Sequence, residues 1–360
     1  MKKLRRVLLT LVCTAVIPLT SCSLVQRALT FNVIAPVGGD ALSLASYAED
    51  TEHFNVGSTT DCYDAFFSNE YDVIVYSLNK GIDLIQDVKV PFKLAKVNTY
   101  GNAFLVGKDV EDDSGLMNNS NLVTYDYAYS KYSDHSYENL DTQNNVLKYV
   151  YDISDTNTTF IDHFYDDPQA EYEALIEGSV DGKEINYGLL PEPYVTKLVT
   201  ADPSYHIIQN VTSMFKEKTK LEGFGEDGYS HFPQTGIFVR DTWETSVGDE
   251  KELHDNFLTS VQSFTSNIES GNASTMYDYL HVAYVKNQYD VEAYFGDTYQ
   301  TISQIVDGDT ALNGVNACGF CSFSVNVDDF YQESNTNCAY ITHGSVDSDV
   351  YSSYFNNIDA

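Results

Sequence analysis

Residues 31–48 read FNVIAPVGGDALSLASYA, an apolar run that halts at a turn and restarts with helical spacing. Phe31-Asn32-Val33-Ile34-Ala35 has the length and near-continuous apolarity of a strand covered on both faces. Pro36, Gly38, Gly39 and Asp40 are turn formers. Beyond them Ala41, Leu42, Leu44, Ala45 and Ala48 recur at helical spacing. The chain therefore opens strand, tight turn, helix. The alternation continues with a short strand at 54–57, a helix at 61–68 and a third strand at Asp72-Val73-Ile74-Val75-Tyr76. Strands alternating with helices predict βαβ units and a parallel sheet, hence an α/β fold.

Further along, residues 92–106 read as two extended runs broken at 98–102. The stretch 111–121 is polar and aperiodic, a loop. A strand is expected at 121–127 and a helix at 139–153. A short helix at 172–177 precedes a strand at 186–190, which Pro191-Glu192-Pro193 breaks before a helix at 194–199. Residues 235–240 read as a strand. The best helical stripe is 250–268, with Leu253, Phe257, Leu258, Val261, Phe264 and Ile268 on one face. Signals beyond 272 are weaker, Trp243 reads as core or surface, and no internal repeat is evident.

The chain has 360 residues and a net charge of −33. That length suits two lobes, and the 43% hydrophobic content suits a real core. So acidic a surface repels nucleic acid and anionic lipid headgroups. At the start, Lys2, Lys3, Arg5 and Arg6 precede an apolar stretch at 7–19, the pattern of a secretory signal and too short to span a bilayer. Of the six cysteines, Cys13 lies in that leader. Cys62, Cys318, Cys321 and Cys338 allow three pairings. Cys318-Gly319-Phe320-Cys321 has redox or metal spacing, and structural or free thiols are the alternative. Tyrosine is abundant, at 28 residues, and can serve both a soluble surface and a pocket lining.

Leu19-Thr20-Ser21-Cys22 closes the apolar stretch. It resembles the lipobox of bacterial lipoproteins, which implies a signal at 1–21, cleavage before Cys22, a lipid on that thiol and a linker at 22–30. The protein would then sit on the extracellular face of the bacterial membrane. An ordinary cleaved signal with a cysteine near the cut is the alternative.

Taken in order, 31–48, 71–82, 92–107, 187–196 and 232–240 resemble solute-binding proteins of bacterial ABC importers, in the branch with nitrate-, taurine- and thiamine-precursor-type binders. Residues 36–41 resemble that branch's proline–glycine turn. Leu94-Ala95-Lys96-Val97-Asn98-Thr99-Tyr100-Gly101-Asn102 resembles its first crossing between lobes. Leu189-Leu190-Pro191-Glu192-Pro193-Tyr194-Val195-Thr196 resembles its proline–glutamate–proline turn, and Phe232-Pro233-Gln234-Thr235-Gly236 its return. The last ninety residues fit loosely, and Asp40 and the late cysteine pair depart from the pattern. The resemblance implies a type II periplasmic-binding-protein-like fold with a ligand cleft. Lobe I is expected at 31–100 and 236–360, lobe II at 101–235. It also implies a small-molecule solute, ABC permease and ATPase partners, a lipid-mediated membrane attachment, no nucleic acid, no cofactor and no metal.

Ligands of open parallel sheets sit beyond the carboxyl ends of the strands. Those ends supply the candidates. Gly38 and Gly39 permit close backbone approach and Asp40 follows them; a plain tight turn is the alternative. Ser77 and Asn79 offer neutral donors and acceptors, or cap a helix. Asn98, Thr99 and Asn102 sit at the expected hinge and either touch ligand or satisfy irregular backbone. Tyr125 and Tyr127 share a face if 121–127 is a strand, and either stack on a flat ligand or pack. Glu192, held between two prolines, suits an amine or heterocycle N–H, or caps the next helix. Basic residues are absent from these turns, which favours a neutral or cationic heterocycle or amine. No catalytic motif of a hydrolase, zincin or nucleotide binder is present. Two other readings compete with the receptor: an enzyme resembling the pyrimidine synthases of thiamine formation, and a surface antigen or adhesin.

Overall fold

The computed structural model describes residues 30–48, 50, 52–117, 120–133, 140–153, 161–222, 232–262, 273–289 and 348–352. Residues 1–29, Cys22 among them, and Cys318, Cys321 and Cys338 lie outside the described residues, so the expectations for a signal and a lipid anchor fall there. Cys62 is buried with a free thiol.

The chain runs through β1 (Val33–Pro36), a 3-10 helix (Gly39–Tyr47), β2 (Phe54–Gly57), α1 (Thr59–Ala65), β3 (Val73–Ser77), α2 (Leu78–Asp83) and β4 (Phe92–Tyr100). It then crosses into β5 (Phe104–Lys108), β6 (Asn121–Tyr125), α3 (Thr142–Val150), β7 (Ile161–Tyr165) and α4 (Pro168–Glu177). A small hairpin, β8 (Ser179–Val180) and β9 (Lys183–Glu184), leads to β10 (Tyr187–Leu190), α5 (Tyr194–Ala201), β11 (Tyr205–Asn210) and α6 (Val211–Leu221). The return is β12 (Pro233–Arg240), followed by α7 (Asp249–Gln262) and α8 (Ala273–Lys286).

Two five-stranded sheets result, ordered β2-β1-β3-β12-β4 and β7-β6-β10-β5-β11. Their patterns match strand for strand. In the first, β2, β1 and β3 are parallel while β12 runs antiparallel to both β3 and β4. In the second, β7, β6 and β10 are parallel while β5 runs antiparallel to both β10 and β11. Each lobe thus takes its one reversed strand from the segment that has just crossed from the other lobe. The molecule is a two-lobed α/β structure. Strands β1, β3 and β10 are buried along their whole length, as helix-covered parallel strands require.

Local chemistry explains most boundaries. Ser58 and Asp61 form a capping box at α1. Asp167 accepts from the Ala170 N–H at 2.9 Å with Pro168 at the first helical position, so α4 begins before the expected 172. The expected strand at 121–127 ends at Tyr125 instead. The Asp141 carboxylate takes the Tyr127 N–H at 2.6 Å, and Ala128 turns into the left-handed region. Tyr125 and Tyr127 are therefore not same-face strand neighbours. The break expected at 98–102 falls later, since Asn98 and Thr99 belong to β4 and the crossing is 101–103. Strands β7 and β11 and helix α6 have no counterpart in the sequence reading. His206 in β11 is exposed and residues 207–210 are only half buried, so neither apolar run nor alternation stands out.

Helix α8 packs on the 3-10 helix with Leu280, Ala283 and Tyr284 in the first-lobe core. Tyr351 bridges to Leu94 beside β4. Trp243 is core: its ring stacks on His254 at 3.6 Å. Among the described residues, no helix is long and apolar enough to cross a membrane.

Candidate functional site

The carboxyl ends of β1, β2 and β3 face those of β6, β7 and β10. The loops beyond them meet in a closed cleft, built on one side by 36–40, 57–59 and 77–80 and on the other by 125–128, 140–142, 165–166 and 190–192. Thr59 Oγ1 donates to the Asp166 carbonyl at 2.5 Å and accepts from the Ala128 N–H at 3.1 Å. Gly38 has φ 106°, and its N–H donates to the Tyr284 hydroxyl at 2.7 Å. Gly39 serves a different need. A Cβ there would lie 2.8 Å from the Glu192 carbonyl oxygen of the opposite lobe, so the missing side chain lets the lobes touch.

The hinge consists of the 101–103 crossing beside the first residues of β12. Asn102 donates its N–H to Gln234 Oε1 at 2.8 Å, and Gln234 Nε2 returns to the Asn102 carbonyl at 3.2 Å. Asn102 also makes a reciprocal pair with the Glu192 backbone, accepting at 2.8 Å and donating at 3.2 Å. The Asn98 amide accepts from Ser43 and donates to the Asp40 carbonyl at 3.1 Å. Thr99 and Thr235 share a hydroxyl contact of 2.7 Å. Asn98 and Asn102 thus satisfy irregular backbone at Asp40 and Glu192, and Thr99 pairs with Thr235. Gln234 reaches further, donating to the Tyr125 hydroxyl at 3.0 Å.

Asp40 is the lobe I residue that meets Tyr127, whose hydroxyl donates to its carboxylate. Enclosure of that carboxyl raises its pKa to about 6, against the lowering bonds from Tyr127, Thr235 and Thr99. Ser77 does not cap α2; its hydroxyl donates to Asn79 Oδ1 at 2.9 Å. Asn79 in turn donates across the cleft to the Leu140 carbonyl at 2.6 Å. The Glu192 carboxylate faces its own helix, accepting from Thr196 N at 3.1 Å and Thr196 Oγ1 at 2.7 Å. Burial raises its pKa to about 7.

One residue beyond Asn79 lies the part that sequence reading missed. Lys80 is 1% exposed, and its ammonium crosses the cleft to Asp126 Oδ2 at 2.7 Å and the Tyr127 carbonyl at 2.9 Å. It stands 3.9 Å from Asp141 Oδ1 and 4.2 Å from the Tyr132 ring centre. The cleft therefore does hold a basic residue, contrary to the expectation for these turns. Burial and the neighbouring Asp141 raise the Asp126 pKa to about 7, against the pull of Lys80. Asp126 was legible as the residue between two singled-out tyrosines. Asp141 precedes α3 and could have been flagged as a helix cap, although its side chain caps no backbone N–H of α3 and accepts instead from the Tyr127 N–H and the Gln143 side chain. A separate concavity of about 380 Å³, lined by Val56, Asp61, Glu70, Tyr71 and Tyr289 among others, belongs to the first lobe alone.

Two sheets of matching strand order, joined at adjacent crossings and closing carboxyl end to carboxyl end, define the two-lobed periplasmic-binding-protein fold. Solved structures agree. The ligand-binding component of an ABC-type import system from Staphylococcus aureus, with zinc bound, aligns with TM-score 0.58 and 10% identity over 92% of this chain and 98% of that one. An ABC transporter from Parabacteroides distasonis gives 0.53 and 13% over 90% and 99%. The periplasmic aliphatic sulphonate binding protein of Escherichia coli gives 0.52 and 8% over 86% of each chain. No protein-family model and no curated protein matches the sequence.

Proposed function

We propose that this chain is the solute-binding component of an ABC importer, capturing a small neutral or cationic solute between lobes 31–100 with 236–360 and 101–235. It delivers the solute to a membrane permease driven by an ATPase, and performs no covalent chemistry. A lipid on Cys22 tethers it to the extracellular face of the membrane. The observation that carries the reading is the cleft, where polar side chains from both lobes are buried against each other next to two adjacent crossing segments. Such a hinge lets the lobes part, admit a ligand and close on it without unfolding either sheet. Closure excludes water, which strengthens each polar contact to the ligand. Asp40, Ser77, Asn79, Tyr125 and Tyr127 lie at the cleft. Gly38, Gly39, Asn98, Thr99, Asn102 and Glu192 shape the turns and hinge around it.

The test is small-angle scattering of the full chain with and without fractionated extract of its own host, followed by native mass spectrometry. A retained small molecule and a smaller radius of gyration are expected. A radius that no fraction changes, with no bound mass, refutes the receptor reading. Labelled fatty acid should enter the wild type and not Cys22→Ser.

A further inference from the structure

The cleft holds more negative charge than its own cation answers. Asp126 and Asp141 are buried, at 2% and 0% exposure, and Asp40 reaches the same group through Tyr127. Lys80 pairs with Asp126 and stands off Asp141. No basic side chain among the described residues pairs with Asp40. Asp141 Oδ1 has no hydrogen-bond partner, although its other oxygen accepts from the Tyr127 N–H at 2.6 Å. One ammonium thus faces three carboxylates, and Tyr127 connects two of them, with its hydroxyl on Asp40 and its backbone N–H on Asp141.

Enclosing a carboxylate without a counter-charge costs several kcal/mol, on the order seen for buried ions in general. Either protons or a cation must supply the balance. Asp40 and Asp126 both hold their protons towards neutral pH, as expected of a site short of positive charge. Lys80 shows which group the cleft accepts: an ammonium between carboxylate, carbonyl and the face of an aromatic ring. An anion would deepen the deficit, and a neutral solute would leave it.

We propose that the solute is a cation whose positive group is met by Asp141 and Asp40, on either side of Tyr127, with the Tyr132 ring at the rim. This rests on the solute-binding reading above and narrows its ligand class. Lys80 then has a positioning role: it holds Asp126 at 2.7 Å and, at 3.9 Å from Asp141 Oδ1, leaves that oxygen's hydrogen-bonding capacity for the solute.

The full chain is titrated at constant ionic strength with choline, putrescine, uracil and methanesulfonate, reading melting temperature and heat of binding. Choline or putrescine should raise the melting temperature by several degrees, and the other two should not. Asp141→Asn keeps the shape and the acceptor for Tyr127 N–H, and should weaken cation binding tenfold or more. Tyr132→Leu, at the rim, leaves every carboxylate in place and should weaken it severalfold, so a folding defect in the first variant does not decide the matter. Binding of uracil or methanesulfonate with neither cation overturns the charge assignment and leaves the receptor reading standing. Cation binding that survives both substitutions overturns the placement. If none of the four probes binds, the cation assignment falls, while the receptor reading stands or falls on the extract scattering and native mass spectrometry alone.

Discussion

Replacing Lys80 by Met keeps the length and apolar stem of the side chain and deletes its charge. The ammonium is 2.7 Å from Asp126 Oδ2, 3.9 Å from Asp141 Oδ1 and 2.9 Å from the Tyr127 carbonyl, and the residue is 1% exposed. Removing one partner of such a buried pair costs about 3–5 kcal/mol, because the remaining charge is left enclosed. The cost must depend on pH. Asp126 in the folded protein titrates at about 7 with Lys80 present. At pH 8 it is charged, and the variant leaves it without its cation. At pH 5.5 it already carries a proton, so the substitution exposes one charge fewer. For a lobe of roughly 150–250 residues each kcal/mol moves the melting temperature by about 2–4 °C. The variant should therefore melt about 6–20 °C below wild type at pH 8, with less than half that gap at pH 5.5. Paired calorimetric melts of both proteins at the two pH values measure this. An equal gap at both, or no gap at pH 8, would show that Lys80 does not compensate Asp126.

Wild-type stability should itself fall as pH rises from about 4 to 7. Asp40, Asp126 and Glu192 have folded pKa values of about 6, 7 and 7, so the folded chain binds protons that the unfolded chain has released. Denaturant midpoints that rise over that range would contradict the assignment. Gly39→Ala should keep both lobes folded but hold the cleft ajar, since its Cβ meets the Glu192 carbonyl at 2.8 Å; scattering should give a larger radius of gyration than wild type. Asn102→Ala removes the two side-chain hydrogen bonds to the Glu192 backbone, leaves the two backbone bonds to Gln234, and should lower stability by about 1–3 kcal/mol in urea melts. Tyr125→Ala and Glu192→Ala should weaken solute binding, and unchanged affinity in both would place the pocket elsewhere.

The first lobe was largely legible. Residues 31–48 and 72–76 carry fully buried strands and a glycine turn, and their signals are local: apolar continuity, spacing and turn formers. The crossing at 94–102 and the return at 232–236 were recognisable by their resemblance to the solute-binding family rather than by a local physical signal. The second lobe was harder. Edge strands β7 and β11 are no shorter than β1 and β3, but residues 163–165 and most of β11 are only half buried, so neither period nor composition separates them from loop. The site was legible in its turns and not in its chemistry. Asp40, Asn79 and Tyr127 could be named from their places after strands, whereas nothing local in the sequence marks Lys80 as buried.

Residue order alone determined the strand–helix alternation of the first lobe, the turn formers that end its strands and the acidity of the whole. Those features depend on neighbours a few positions apart. Which strands pair, that the two sheets repeat one order, and that Lys80 lies between Asp126 and Asp141 came only from the tertiary structure. Lys80 and Asp126 are 46 residues apart, and Asn102 and Gln234 are 132 apart. Contacts at such separations form only when two lobes, each folded on its own sheet, are brought face to face, and burial then turns ordinary polar residues into a charged, water-excluded cleft.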